Sequence, residues 1–287
     1  MKNIFIKVFL FVNVLFVFGC GDDDFKKYYT LEDTFRVLGI KADTPEISTT
    51  GGTITLTPYV SDYVGGGRNI SVSIVGCLDP GIAYGAEIDC VNESTKQTVT
   101  YNSGNSVNIS TDLQAGSEMN TGAMPNVSIT IPSELISDRS ALEQFNGIDY
   151  LVIFTFSISG ENDVMVIKRI KISSNSSKNS NPAISANSIT FEGQSPTLTS
   201  NSVVLGLSTD SGAEIFNQYS YNGNLETTTE TIYQSWFVSS GTITGSQGEI
   251  TDSISYKMTD PLPSEALILV VVRDARGGED IQWIKIN

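Results

Sequence analysis

An all-β fold of two sandwich domains is what this sequence predicts, on three observations. Short runs such as Thr53–Val60 and Ile70–Ile74 alternate apolar and polar residues, the period-two pattern of strands with one buried face. Turn residues separate these runs throughout, and a single segment carries helix signals. At 287 residues the chain exceeds the length at which one hydrophobic core is usual, so two domains are expected.

The elements follow in order. Lys2 and Lys7 give a positive start, Val8–Phe18 (VFLFVNVLFVF) an apolar run and Gly19 a small residue, the features of a secretory signal over residues 1–19. A membrane-spanning helix needs about 20 apolar residues, and this run is shorter. Asp22–Thr34 (DDDFKKYYTLEDT) is charged and lacks a core pattern, so 20–34 reads as a tether.

Phe35–Ile40 begins the first domain, and Asp43-Thr44-Pro45 forms a turn. In Thr53–Val60, Ile54, Leu56 and Val60 share one face while Thr53, Thr55 and Thr57 share the other. Ile70, Val72 and Ile74 alternate with Ser71 and Ser73, and Asp79–Glu87 makes a long loop. Asn102–Pro125 reads as short edge strands joined by loops. Val127–Ile131 resumes the alternation. Ser140-Ala141-Leu142-Glu143 fits a capping box with Gly147 at the C′ position, which predicts one or two helical turns. Tyr150–Ser159 (YLVIFTFSIS) is the most apolar strand and is expected at a sheet centre; Val164–Ile172 returns after a turn.

Ser173–Asn181 (SSNSSKNSN) is a linker by composition, which sets the domains at 35–172 and 182–287. In the second, Val203, Leu205 and Leu207 share a face, Tyr233–Ser239 carries Trp236, and Ile254, Tyr256 and Met258 share another face. Leu267–Val272 (LILVVV) is continuously apolar. Arg273–Asp280 (RDARGGED) turns the chain into a last strand, Ile281–Ile286, which carries Trp283.

Composition removes several chemistries. There is no histidine, which excludes Ser-His-Asp and Cys-His catalysis and His-based zinc sites. GxSxG, SxxK, Walker, GxGxxG and HExxH motifs do not occur. The formal charge is −15, and −17 once Lys2 and Lys7 leave with the signal. Such a surface repels phosphate backbones, so no nucleic-acid partner is expected. A carboxylate pair of glycosidase type remains open, but the acids lie mostly in turns and in the tether. Asp274, Glu279 and Asp280 flank Gly277-Gly278 as loop oxygens of the kind Ca²⁺ takes. Without DxDxDG-like spacing, the expected arrangement is instead a turn in which Asp274 bonds backbone amides and Glu279 and Asp280 are solvated. Neither a metal nor a cofactor is expected. Phe216, Tyr219, Tyr221 and Tyr233 could form a sugar-stacking platform or cap the end of the sandwich.

Val17-Phe18-Gly19-Cys20 resembles the lipobox of bacterial lipoprotein signal peptides, with Phe18 where that box usually has a small residue. The resemblance implies cleavage before Cys20, a diacylglycerol on its sulfur and a further acyl chain on its amine. The membrane is then a partner, held stably because two or more chains are present. Gly21 after the cysteine resembles lipoproteins sent to the outer membrane, and the acidic run behind it resembles surface-export signals. In such an exported chain Cys77 and Cys90 are left as an even pair. They form either a disulfide, stabilising by about 3 kcal/mol in the chain-entropy model, or two buried thiols.

Arg36–Asp62 (RVLGIKADTPEISTTGGTITLTPYVSD) resembles the opening strands of immunoglobulin-like repeats in envelope lipoproteins. Val270–Trp283 (VVVRDARGGEDIQW) is similar to the last hairpin of such modules. The resemblance implies two immunoglobulin-like sandwiches that bind, adhere or scaffold through a protein or glycan ligand and do not catalyse. The alternative is a glycan-processing enzyme or the accessory sugar binder of a surface uptake system.

Overall fold

The computed structural model describes residues 28–32, 34–81, 89–90, 94–101, 104–199 and 201–287. The signal segment and Cys20 lie outside the described residues. Domain 1 comprises β1 (Arg36–Ala42), β2 (Glu46–Ser48), β3 (Gly52–Ser61), β4 (Asn69–Leu78), β5 (Gln97–Val99), β6 (Ser106–Asn108), α1 (Ile109–Asp112), β7 (Thr121–Ala123), β8 (Val127–Ile131), α2 (Ala141–Asn146), β9 (Ile148–Ser157) and β10 (Val164–Ser173). Domain 2 comprises β11 (Ile184–Phe191), β12 (Ser202–Thr209), β13 (Ile215–Tyr219), β14 (Leu225–Thr229), β15 (Ile232–Val238), β16 (Thr242–Thr244), β17 (Gln247–Glu249), β18 (Ile254–Lys257), β19 (Ala266–Asp274) and β20 (Glu279–Ile286).

Both domains are immunoglobulin-like sandwiches by strand order. In domain 2 one sheet runs β11-β12-β18-β16, the A-B-E-D order of that fold. The other runs β17-β15-β19-β20, in which β15, β19 and β20 take the C, F and G places and β17 is an extra edge strand that follows β16 in the chain. The β13–β14 hairpin is an insertion between the second and third of these strands. In domain 1, β1 and β3 form a sheet with β7 and β8, which share the far edge of β3. The facing sheet runs β2-β10-β9-β4 with β5 and β6 on the last edge, and β2 pairs with β10 in parallel. The strand expected at a sheet centre, β9, is flanked by β10 and β4 over most of its length.

The alternating residues build the cores. Ile54, Leu56 and Val60 of β3 face Ile70, Val72 and Ile74 of β4 and Val152, Phe154 and Phe156 of β9. In domain 2 Trp236 is 1% exposed among Ile254, Tyr256, Ile268 and Val270, and its indole N–H donates to Gln234 Oε1 at 2.8 Å. That pairing matters, because a buried donor left alone is destabilising. Helix α2 carries the expected capping box between Ser140 and Glu143. Gly147 follows it at φ 86°, with Lys171 Cγ 2.6 Å from where a Cβ would stand, so glycine is required there on two counts.

Two strands lose the alternation and are buried on both faces. The outer face of β9 places Leu151 and Ile153 beneath Cys77 and Cys90. These two cysteines form a disulfide, which settles the alternatives left open by the sequence. The outer face of β19 places Leu267, Leu269 and Val271 against Leu31 and Leu38, with Tyr59, Tyr63 and Met119 alongside. Domain 1 therefore covers one sheet of domain 2.

Candidate functional site

The seam between the domains gathers the acids of the β19–β20 turn together with Phe216. Its apolar part is the cover on β19, where Ile281 and Trp283 of β20 join Leu38 and Tyr59 of domain 1; the Tyr59 and Trp283 rings meet edge-on at 6.0 Å. Tyr59 is held above the ordinary tyrosine pKa, first by burial and then by the negative charge of Asp280 and Glu279.

The second part is a strap. Residues 28–32, read from sequence as free tether, lie on domain 2. Leu31 N–H donates to Val238 O at 2.9 Å and Val238 N–H donates to Tyr29 O at 2.8 Å, so Thr30 forms a parallel bridge to the end of β15. Leu31 is fully buried in the seam. A charged run hides a single apolar peg, and one leucine among polar neighbours has no periodicity to reveal it.

The third part is ionic and centres on the β19–β20 turn. Asp274 Oδ1 accepts from the amides of Arg276 at 2.7 Å and Gly278 at 2.8 Å, the turn expected from sequence. Gly278 has no room for a side chain, since a Cβ would stand 2.2 Å from Asp274 Oδ2. The expectation of solvated Glu279 and Asp280 is corrected. Glu279 is 4% exposed and holds Lys168 Nζ at 3.1 Å and Arg273 Nε at 3.2 Å. Asp280 holds Lys41 Nζ at 2.5 Å and accepts from the Ile184 amide at 3.0 Å. Lys168 also donates to Gly277 O at 2.9 Å, and Arg273 Nη2 to Leu38 O at 2.6 Å. Lys41 and Lys168 of domain 1, together with Arg273 and the turn's own amides, thus occupy the oxygens that a calcium reading needs, and the turn is plugged into the edge of domain 1 between β1 and β10.

Arg276 is the hub of the turn. Its guanidinium reaches Glu46 of β2 at 2.9 Å, Glu214 at 3.3 Å and Glu230 at 3.9 Å, and it lies 4.3 Å over the Phe216 ring. Glu46 is itself buried and accepts from Ser173 Oγ at 2.5 Å and from the Asn179 amide at 2.9 Å. The acids outnumber the cation, and Glu230 Oε2 is buried without a hydrogen bond. Burial pushes the Glu230 pKa above the usual carboxylate range, reinforced by Asp274 and Glu214 and opposed by its bond from the Glu214 amide and by Arg276. Burial likewise lowers the Lys178 pKa, against the pull of Glu46.

The linker is part of this cluster. Ser173, Asn175 and Asn179 are buried, and Asn179 Nδ2 donates to Asp274 Oδ2 at 3.1 Å. A small polar segment supplies hydrogen bonds to a charged seam where composition alone suggested a flexible spacer.

The four aromatics do not make one platform. Phe216 lies under Arg276, and Tyr219 packs edge-on against Phe145 of α2 at 4.9 Å. Asn146 clamps the Tyr219 backbone, accepting from its N–H and donating to its C=O, both at 2.7 Å. Tyr221 is fully exposed at the hairpin tip and Tyr233 is 45% exposed on β15. Clefts of about 370 Å³ beside Lys168 and Arg273 and about 280 Å³ beside Phe216 and Asn146 run along the seam. Among the described residues no group of three or more acidic, cysteine or histidine side chains is arranged to hold a metal. No described helix is long and apolar enough to cross a membrane.

No family model matches this sequence, and no curated protein matches it either. Among solved structures, red sea bream transglutaminase aligns over 88% of this chain and 31% of its own, at 11% identity and a TM-score of 0.26. The adhesin InvE of Yersinia pseudotuberculosis aligns over 87% of this chain and 58% of its own, at 12% identity and a TM-score of 0.21. The chain thus spans less than two thirds of the length of either protein, and likenesses this distant carry nothing about its role.

Proposed function

We propose that this protein is a lipid-anchored envelope protein whose two sandwiches act as one rigid unit, presenting a surface to a protein or glycan partner without catalysing a reaction. The observation that carries the reading is the seam. Domains joined by flexible linkers move independently unless their interface is large and apolar. Here the linker, the strap, an apolar sheet face and the buried Arg276 cluster all tie the two together. The acids of the β19–β20 turn serve that joint. The lipobox-like Val17–Cys20 supplies the anchor, with acyl chains on Cys20 holding the unit at the outer membrane, on the cell surface or the periplasmic face.

Metabolic labelling with a fatty-acid analogue tests the anchor: wild type takes up label and stays with membranes, and Cys20→Ala does neither. A Cys20→Ala protein that stayed in the membrane fraction would overturn it. Protease treatment of intact cells distinguishes the two faces, with digestion expected for a surface protein. Turnover in a panel of glycans would refute the non-catalytic part.

A further inference from the structure

The strap marks one end of the molecule, at which the turns of both domains gather. The first residue of β1, Arg36, pairs with Ser61 at the end of β3, so the β3–β4 turn lies at the strap end of domain 1. The β9–β10 turn lies there too, because Gly160–Val164 and Phe35 line one shallow depression. In domain 2, Val238 takes the strap's backbone bonds and pairs with Ile268 near the start of β19. The β18–β19 connection is therefore at the same end. Three separate segments each expose a large apolar side chain here: Tyr28 on the strap (75%), Val64 in the β3–β4 turn (61%) and Leu262 in the β18–β19 connection (42%). Cys20 precedes Tyr28 by eight residues, a stretch that spans at most about 26–29 Å even when fully extended.

We propose that this end is apposed to the bilayer that seats the acyl chains of Cys20, with Tyr28, Val64 and Leu262 at the headgroup level. The inference rests on the acylation reading above. Tyrosine and aliphatic tips suit a boundary that is apolar on one side and wet on the other. At the same end Asp62 and Glu161 share the single cation Arg68 and Asp260 is exposed, a net negative charge that repels anionic headgroups, so the fitting surface is zwitterionic lipid. β19 has nine residues, which at roughly 3.3 Å each sets the opposite end about 30 Å further out. That end carries the disulfide, α2 and the β13–β14 hairpin, with Ile215, Tyr221 and Leu225 exposed. It is the end offered to a partner.

Because Cys77 and Cys90 are paired and Cys20 is acylated, one introduced cysteine is a unique thiol. Val64→Cys, Leu262→Cys and Tyr221→Cys, each carrying an environment-sensitive fluorophore, are placed as acylated full chains in phosphatidylethanolamine–phosphatidylcholine vesicles containing headgroup spin-labelled lipid. Loss of emission at 64 and 262 with none at 221 is expected. Quenching at 221, or none at 64 and 262 in protein that floats with the vesicles, overturns the orientation alone. Acylated preparations that fail to float refute the anchor, and the orientation with it.

Discussion

Strands β9 and β19 are both buried on both faces, yet they are covered in different ways. The outer face of β9 is closed by its own domain, through a disulfide between cysteines 13 residues apart. The outer face of β19 is closed by the other domain, through contacts such as Arg273 to Leu38, 235 residues apart. The first cover is local and staples one loop. The second makes the stability of domain 2 depend on domain 1. The lesson is that a continuous apolar strand in a sandwich reports a covered outer face without reporting the cover.

Four changes probe this contrast, from largest effect to smallest. Arg276→Ala strands Glu46 as a buried charge and takes the cation from the partly exposed Glu214, a loss expected at about 3–5 kcal/mol for a broken buried pair. Calorimetry should show one unfolding transition in wild type and two in this variant. A single unshifted transition would mean that the seam does not couple the domains. Leu269→Ala opens a cavity in the apolar cover, expected to destabilise by about 2–5 kcal/mol in denaturant titration, mostly in domain 2. Joint replacement of Cys77 and Cys90 by alanine should lower stability by about 3 kcal/mol, with hydrogen exchange rising around β4 and β9 and unchanged in β19. Faster exchange in β19 would show that the two covers are linked.

Glu230→Gln should act in the opposite direction. The folded-state pKa of Glu230 is raised, so its contribution to stability is present below its unfolded-state pKa and lost as pH rises through the folded value. At neutral pH the buried carboxylate is a net cost, and the glutamine variant should melt higher than wild type. The gap should close as pH falls and wild type takes up its proton. A gap that widened on acidification would show that Glu230 is held as an anion by Arg276.

Much of the fold was legible in the chain, because each signal was local. The alternation in Thr53–Val60 assigned the inner face of β3 correctly, since side chains on a strand point to opposite sides in turn. Ser140 and Glu143 gave the α2 cap because its two hydrogen bonds lie within four residues. The burial of residues within the tether, the linker and the turn was not legible, for one shared reason. Leu31, Asn179 and Glu279 look like ordinary polar-segment residues until a second surface is laid over them, and solvated and paired carboxylates are identical in sequence.

By itself the sequence determined the all-β class, the inner faces of the strands, the position of the α2 cap, the cysteines available to pair and the lipobox-like Val17–Cys20. Tertiary structure decided what lies over β19, which acids are ion-paired and that residues 28–32 lie against domain 2. Periodicity and capping are set by neighbours along the chain. Burial against another domain is set by residues hundreds of positions away, whose approach only the folded packing brings about.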